Sequence, residues 1–311
     1  MTILDPMLLE GWLRFNEEHW GLTAKRLVLS PEKGSSWELQ TVLYTNRKGV
    51  IVQPPRNPYL PVHFSTSATR ASAINRRKRD ALEALAKVMG GYKGQRPIAL
   101  DPWVQDVRPF VWKGQVARPR YTYTLPLPGW REQADKTVFQ KARKAEKGGY
   151  TVEQTADYEA VQGCLEGAQD RKGFDHKVSA RGLARLAELM GGDHFVCFLA
   201  RDANGAPKGA WVRIYVPGGR ALAWSAGIPT EALKDGVNSL LGVHALEWFE
   251  SKGCTSFDFV GANIPGVAAM KEAWGGELTP YYVVSPRNLR HLALEARDMV
   301  NGWRTAFRKA R

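Results

Sequence analysis

Two turn signals constrain the middle of this chain: Asn204-Gly205 and Gly218-Gly219 separate three apolar runs, His194–Ala200, Gly209–Val216 and Arg220–Ala226. Asn-Gly and Gly-Gly supply the positive φ angles that tight hairpins require, so the three runs are predicted as antiparallel neighbours. A strand at Tyr150–Gln154 and helices at Tyr158–Asp170 and Ser179–Met190 precede them. A helix at Asp235–Lys252, a strand at Thr255–Phe259, a short helix at Gly266–Ala273 and a strand at Leu278–Val284 follow. The order β-α-α-β-β-β-α-β-α-β predicts an α/β fold with a mixed sheet.

The 311 residues exceed the length, about 250–300 residues, at which one core stops growing, so two domains are expected, 1–125 and 126–287, with a segment 288–311 beyond them. The first half reads as a helix at Leu8–Glu18 and strands at Trp37–Tyr44 and Gly49–Val52. Pro54, Pro55, Pro58 and Pro61 then fix an extended loop that either lines a site or crosses the surface. Ala81, Leu82, Leu85, Ala86, Val88 and Met89 form the apolar stripe of a helix from Ala68 to Met89, whose start is basic. Strands are predicted at Pro97–Leu100 and Arg108–Trp112, and at Pro119–Leu127, which joins the halves. A basic helix, Arg131–Lys147, ends at Gly148-Gly149. Leu289, Leu292, Ala296, Met299, Val300, Trp303 and Phe307 recur at helical spacing in the last segment.

Forty-four basic residues against thirty-one acidic give a net charge of +13, which suits an anionic partner or a solvated basic surface. Cys164, Cys197 and Cys254 are far apart and lie in or beside apolar runs, so they read as core residues and not as a disulfide framework or metal site. The N-terminus lacks a basic stretch followed by an apolar one, and no apolar run approaches about 18 residues. A reduced cytoplasmic setting is expected, with peripheral contact at an anionic membrane face as a further expectation.

Several stretches, taken in order, resemble the Fem family of aminoacyl transferases, which form peptidoglycan bridges and belong to the GNAT acyltransferase superfamily. They are Lys144-Ala-Glu-Lys-Gly-Gly-Tyr-Thr-Val152, Asp170-Arg-Lys-Gly-Phe174, Ala223-Trp-Ser-Ala-Gly227, Gly236-Val-Asn-Ser-Leu-Leu241, Phe257-Asp-Phe-Val-Gly261 and Met270-Lys-Glu-Ala-Trp-Gly-Gly276. Met270 and Trp274 stand where the family shows Phe, and the Trp224 strand has lost one aromatic. The resemblance implies two tandem GNAT-like domains, the first degenerate, with 288–311 packing back on the first.

Attack of an amine on an ester or thioester builds negative charge on the carbonyl oxygen, so a donor aimed there is the largest catalytic term such a site offers. The resemblance assigns that role to Lys271. Asp258 either holds the attacking ammonium or accepts hydrogen bonds within the Gly261–Asn263 loop. Arg171 offers a planar fork for a phosphate or carboxylate of the acceptor, or an ordinary salt bridge. Trp224 stacks on a substrate ring or fills the core. Asn238, Asn263 and Tyr281 complete the expected substrate-binding set. No general base is evident, since neither His176 nor His194 has a carboxylate partner in the pattern.

Acyl-CoA-dependent GNAT proteins cradle pyrophosphate on an Arg/Gln-x-x-Gly-x-Gly/Ala turn at a helix N-terminus. The corresponding Leu233-Lys-Asp-Gly-Val-Asn-Ser239 keeps one glycine and carries Asn238 in place of the second. The expected co-substrate is therefore aminoacyl-tRNA, with acyl-CoA as the alternative, and no bound cofactor or metal. The expected acceptor is an amine of an anionic cell-wall precursor. A different class of reading is a non-catalytic module that binds RNA or a membrane surface.

Overall fold

The computed structural model describes residues 5–31, 36–172 and 178–287, with the side chains of 168–172 outside that description. After a single 3-10 turn at Pro6–Leu8, the elements are α1 (Glu10–Trp20), β1 (Thr23–Leu29), β2 (Trp37–Thr45), β3 (Ile51–Val52), β4 (Val62–Thr66), α2 (Ala71–Gly90) and β5 (Ile98–Ala99). Then come α3 (Arg108–Trp112), β6 (Gln115–Pro126), α4 (Trp130–Gln133), α5 (Lys136–Lys147), β7 (Thr151–Gln154), α6 (Tyr158–Lys172) and α7 (Ala180–Met190). The chain continues through β8 (Phe195–Arg201), β9 (Pro207–Tyr215), β10 (Arg220–Gly227), α8 (Thr230–Lys234), α9 (Val237–Ser251), β11 (Ser256–Asp258), α10 (Pro265–Glu272) and β12 (Glu277–Pro286).

Two sheets result. In the smaller, β2 pairs with β1, β3 and β4, and α2 covers one face through Leu82, Leu85 and Met89. The larger has the order β5-β12-β6-β11-β10-β9-β8-β7, and single bridges Ile51↔Gln95 and Leu60↔Leu100 tie the first sheet to its edge. The predicted meander is present: β8 with β9 and β9 with β10 are antiparallel, and Gly205 and Gly218 take the positive φ values the turns need, 79° and 72°.

Each face of the large sheet buries its own core. One is covered by α5 and α9, whose Val138, Ala142, Val237, Leu241, Leu246 and Phe249 meet Phe198, Trp211 and Phe257. Fully burying each valine, leucine or phenylalanine among them contributes about 1.5–3 kcal/mol, which explains a helix α9 that is apolar on most sides. The other face is covered by α6 and α7 and also by α1, so Trp12 and Phe15 share a core with Leu183 and Leu186.

The structure revises several expected elements. Arg108–Trp112 is one turn of helix and not a strand, because Pro109 cannot donate to a ladder but presets φ at a helix start, and Asp106 Oδ1 accepts the Arg108 N–H at 3.2 Å. The basic helix expected from Arg131 to Lys147 is interrupted: Ala134 is extended, and Asp135 caps α5 by accepting the Thr137 N–H at 2.7 Å. Likewise α9 starts at Val237 behind a left-handed Gly236, not at Asp235, and a separate turn, α8, precedes it. Strands β1 and β4 had no counterpart in the sequence reading. The strand expected at Pro119–Leu127 runs inside the large sheet, between β12 and β11. Residues 288–311 lie outside the described residues.

Candidate active site

Within the large sheet β10 and β11 form the parallel pair, in register only at Arg220↔Ser256, Ala221↔Phe257 and Leu222↔Asp258. Past those residues the strands diverge. A register shift between Ala223 and Ser225 bulges β10 at Trp224, which adds twist and turns the strand away from β11. The diverging carboxyl ends open a cavity of about 260 Å³ at the kind of strand edge where α/β proteins bind ligands. Ala223, Trp224, Ser225 and Ala226 line it from β10, Phe259 and Val260 from the end of β11, and Met270 and Lys271 from α10. Trp211 and Arg213 of β9, Asn238 of α9 and Arg56 of the proline-rich loop close it.

Backbone strain concentrates here. Among the described residues two that are not glycine have positive φ, Arg56 at 62° and Val260 at 50°, and both line the cavity. A β-branched residue in that region is an outlier that persists only where its surroundings hold it. Lys271 supplies part of that hold: its Nζ donates to the carbonyls of Phe259 (2.6 Å), Val260 (2.8 Å) and Gly261 (2.5 Å). Three carbonyls match the three N–H donors of an ammonium, and they let a lysine sit only 9% exposed.

Asp258 does not line the cavity but lies directly behind it. Its Oδ1 accepts from the Val260 N–H (2.7 Å), from Thr122 Oγ1 (2.6 Å) and, at longer range, from Tyr59 OH (3.4 Å). Burial pushes the Asp258 carboxyl above the usual carboxylate range, against those hydrogen bonds and the nearby Arg220. Arg220 in turn donates from Nη2 to Asp5 and Asp101, each at 2.5 Å. Burial opposes its charge, but the two carboxylates outweigh it and raise its pKa.

Of the other expected site residues, Trp224 and Asn238 reach the cavity. The Trp224 indole donates to the Arg56 carbonyl (3.1 Å), meets Trp12 edge-on and lies under the Arg56 guanidinium at 5.4 Å. Asn238 Oδ1 accepts from Trp211 Nε1 at 3.1 Å. Asn263 and Tyr281 are not among the lining residues. Asn263 pairs with the Tyr121 main chain, accepting at 3.0 Å and donating at 3.3 Å, and Tyr281 packs against Tyr59. The side chain of Arg171, and His176, lie outside the described residues.

The sequence reading missed Arg56 and Arg213. A signal existed for Arg213, the one charge inside the apolar run Ala210-Trp-Val-Arg-Ile-Tyr-Val216 of a central strand. It is 3% exposed, with its guanidinium carbon 3.9 Å from the Trp211 ring centre. Its Nη1 donates to the carbonyls of Val212 (2.9 Å) and Ser225 (2.7 Å), and burial pushes its pKa down to about 9, so it stays cationic at neutral pH.

Residues 133–271 match the family model of the acetyltransferase (GNAT) domain. No curated protein matches the sequence. Among solved structures, FemX is 14% identical, covers 89% of this chain and 92% of its own, and superposes with a TM-score of 0.61. A C-terminal domain (DUF2156) assigned to a lysylphosphatidylglycerol synthetase of Agrobacterium fabrum is 12% identical over 88% of each chain, with a TM-score of 0.55. L-PGS from Bacillus licheniformis is 13% identical over 91% of this chain and 89% of its own, with a TM-score of 0.52. At these identities the likeness is one of fold. Residues 133–271 are therefore similar to an acetyltransferase (GNAT) domain, within a mixed α/β fold that the chain shares with FemX, the Agrobacterium fabrum domain and L-PGS.

Proposed function

We propose that this acyltransferase moves an aminoacyl group from aminoacyl-tRNA to an amine of an anionic cell-wall precursor. The observation that carries the reading is the cavity at the opened β10–β11 seam, lined by the matched segment except at Arg56 and bordered by Lys271. In the reaction the acceptor nitrogen bonds to the ester carbonyl carbon, and negative charge gathers on the carbonyl oxygen. The intermediate then collapses, the bond to the tRNA ribose oxygen breaks, and the amine proton ends on that oxygen. Lys271 would exchange one of its three loop carbonyls for the developing oxyanion, while Asp258 keeps the Val260 turn in place from behind.

Two features favour aminoacyl-tRNA over acyl-CoA. The net charge of +13 suits a polyanionic donor. The α9 N-terminus, where a pyrophosphate would approach, has the α5 main chain at Lys141 packed onto Gly236 and carries the Asn238 side chain in place of a second glycine. A cytoplasmic site of action follows from such a donor. No described helix is long and apolar enough to cross a membrane.

The test is to incubate the purified protein with cell-wall precursor amines and either a labelled aminoacyl-tRNA mixture or labelled acyl-CoAs. Label should pass from the tRNA mixture to the amine and fail to pass after ribonuclease pretreatment. Product from acyl-CoA alone, or product that survives the ribonuclease, contradicts the reading.

A further inference from the structure

Two buried cations among the described residues are visibly compensated. Arg220 has two carboxylates, and Lys271 has three carbonyls. Arg213 is more deeply buried than either, at 3% exposed, and its Nη1 has two main-chain carbonyls but no carboxylate partner among the described residues. An isolated charge away from water costs several kcal/mol unless an opposite charge accompanies it. Arg213 lines the cavity.

A second guanidinium converges on the same place. Arg56 Nη2 donates to Ser225 Oγ at 2.6 Å, while Arg213 Nη1 donates to the Ser225 carbonyl at 2.7 Å. One lining residue thus holds both arginines. Trp224 and Trp211 lie against the two guanidinium groups, at 5.4 and 3.9 Å from ring centre to guanidinium carbon, which helps to orient them. Among the other lining residues, Ala223, Phe259, Val260, Val267 and Met270 are apolar, and Asn238 and Lys271 bring no anion.

We infer that Arg213 and Arg56 form an oxyanion subsite that takes a carboxylate or phosphate group of the substrate, on the same molecule as the reacting centre. This rests on the transfer reading only in saying which molecule bears the group: an acceptor amine that also carries an oxyanion. Two planar forks are suited to such a group, whereas a neutral amine would leave Arg213 uncompensated.

The test reads binding without transfer. Thermal melts and direct titrations of the full chain are made with sodium phosphate, sodium acetate or sodium chloride at matched ionic strength, for the wild type, Arg213→Met, Arg213→Lys and Arg56→Gln. The wild type should melt a few degrees higher in phosphate or acetate than in chloride. Arg213→Met should lose that increment, and Arg213→Lys and Arg56→Gln should bind at least about tenfold more weakly. A response to phosphate alone identifies a phosphate-bearing substrate, and a response to acetate alone a carboxylate. No increment in the wild type with either anion, or an equal increment in Arg213→Met, overturns the inference. Should Arg213→Met not fold, unchanged titrations in both Arg213→Lys and Arg56→Gln overturn it equally.

Discussion

Lys271 and Asp258 hold one residue by its two polar ends: Lys271 Nζ donates to the Val260 carbonyl at 2.8 Å, and Asp258 Oδ1 accepts the Val260 N–H at 2.7 Å. Between them they fix a valine at φ 50° on the cavity wall. Lys271 faces the cavity and Asp258 faces the interior, so a change at either should reach the site through the same turn.

Val260→Gly tests that turn. Holding a residue other than glycine in a sparsely populated region costs about 1–3 kcal/mol, and glycine escapes that cost while loosening the loop. The variant should melt at or above the wild-type temperature and transfer more slowly. A clear fall in melting temperature would mean that the Val260 side chain contributes more through packing than its backbone costs.

Asp258 gives a pH dependence with a definite sign. Its folded pKa is raised above the ordinary 3.8, so the folded protein holds that proton more tightly than the unfolded chain does. The associated stability is present at low pH and is lost as pH rises through the folded value. Asp258→Asn cannot titrate there. Melts at pH 4 and pH 7 should therefore show the wild type losing stability relative to Asp258→Asn as pH rises, and the opposite trend would contradict the burial argument.

Gly242→Ala tests the packing of α9 that supports the site. A Cβ at this position meets the Trp274 ring, with Trp211 at 3.0 Å. Alanine favours a helix by about 1 kcal/mol over glycine, but overpacking costs about 1–3 kcal/mol. Chemical denaturation should show net destabilisation, and a more stable variant would show that the two tryptophans can move aside.

The hairpin signals at Asn204-Gly205 and Gly218-Gly219, and the long apolar periodicities of α2 and α7, were legible because local turn geometry and side-chain period determine them. Arg108–Trp112 was misread because its apolar residues carry no period over five positions, and Pro109 was the better guide. The site was half legible. Lys271, Trp224 and Asn238 meet at the cavity, whereas Asn263 and Tyr281 are spent on β6 and on Tyr59. Arg56 comes from a loop 169 positions before Ser225, its hydrogen-bond partner, and no local pattern encodes so distant a pairing. The splay of β10 from β11 depends on the bulge at Trp224, which one extra residue creates without any composition signal.

The central claim is that Lys271 serves the developing oxyanion, and the transfer rate of Lys271→Ala tests it most directly. The rate is measured per folded molecule, because removing the ammonium also strips the carbonyls of Phe259, Val260 and Gly261 of their donor. Loss of one such donor costs about 100–1,000-fold in turnover, and a fall of that size is the predicted result. Undiminished transfer by folded Lys271→Ala would contradict the account and leave Lys271 with the turn alone.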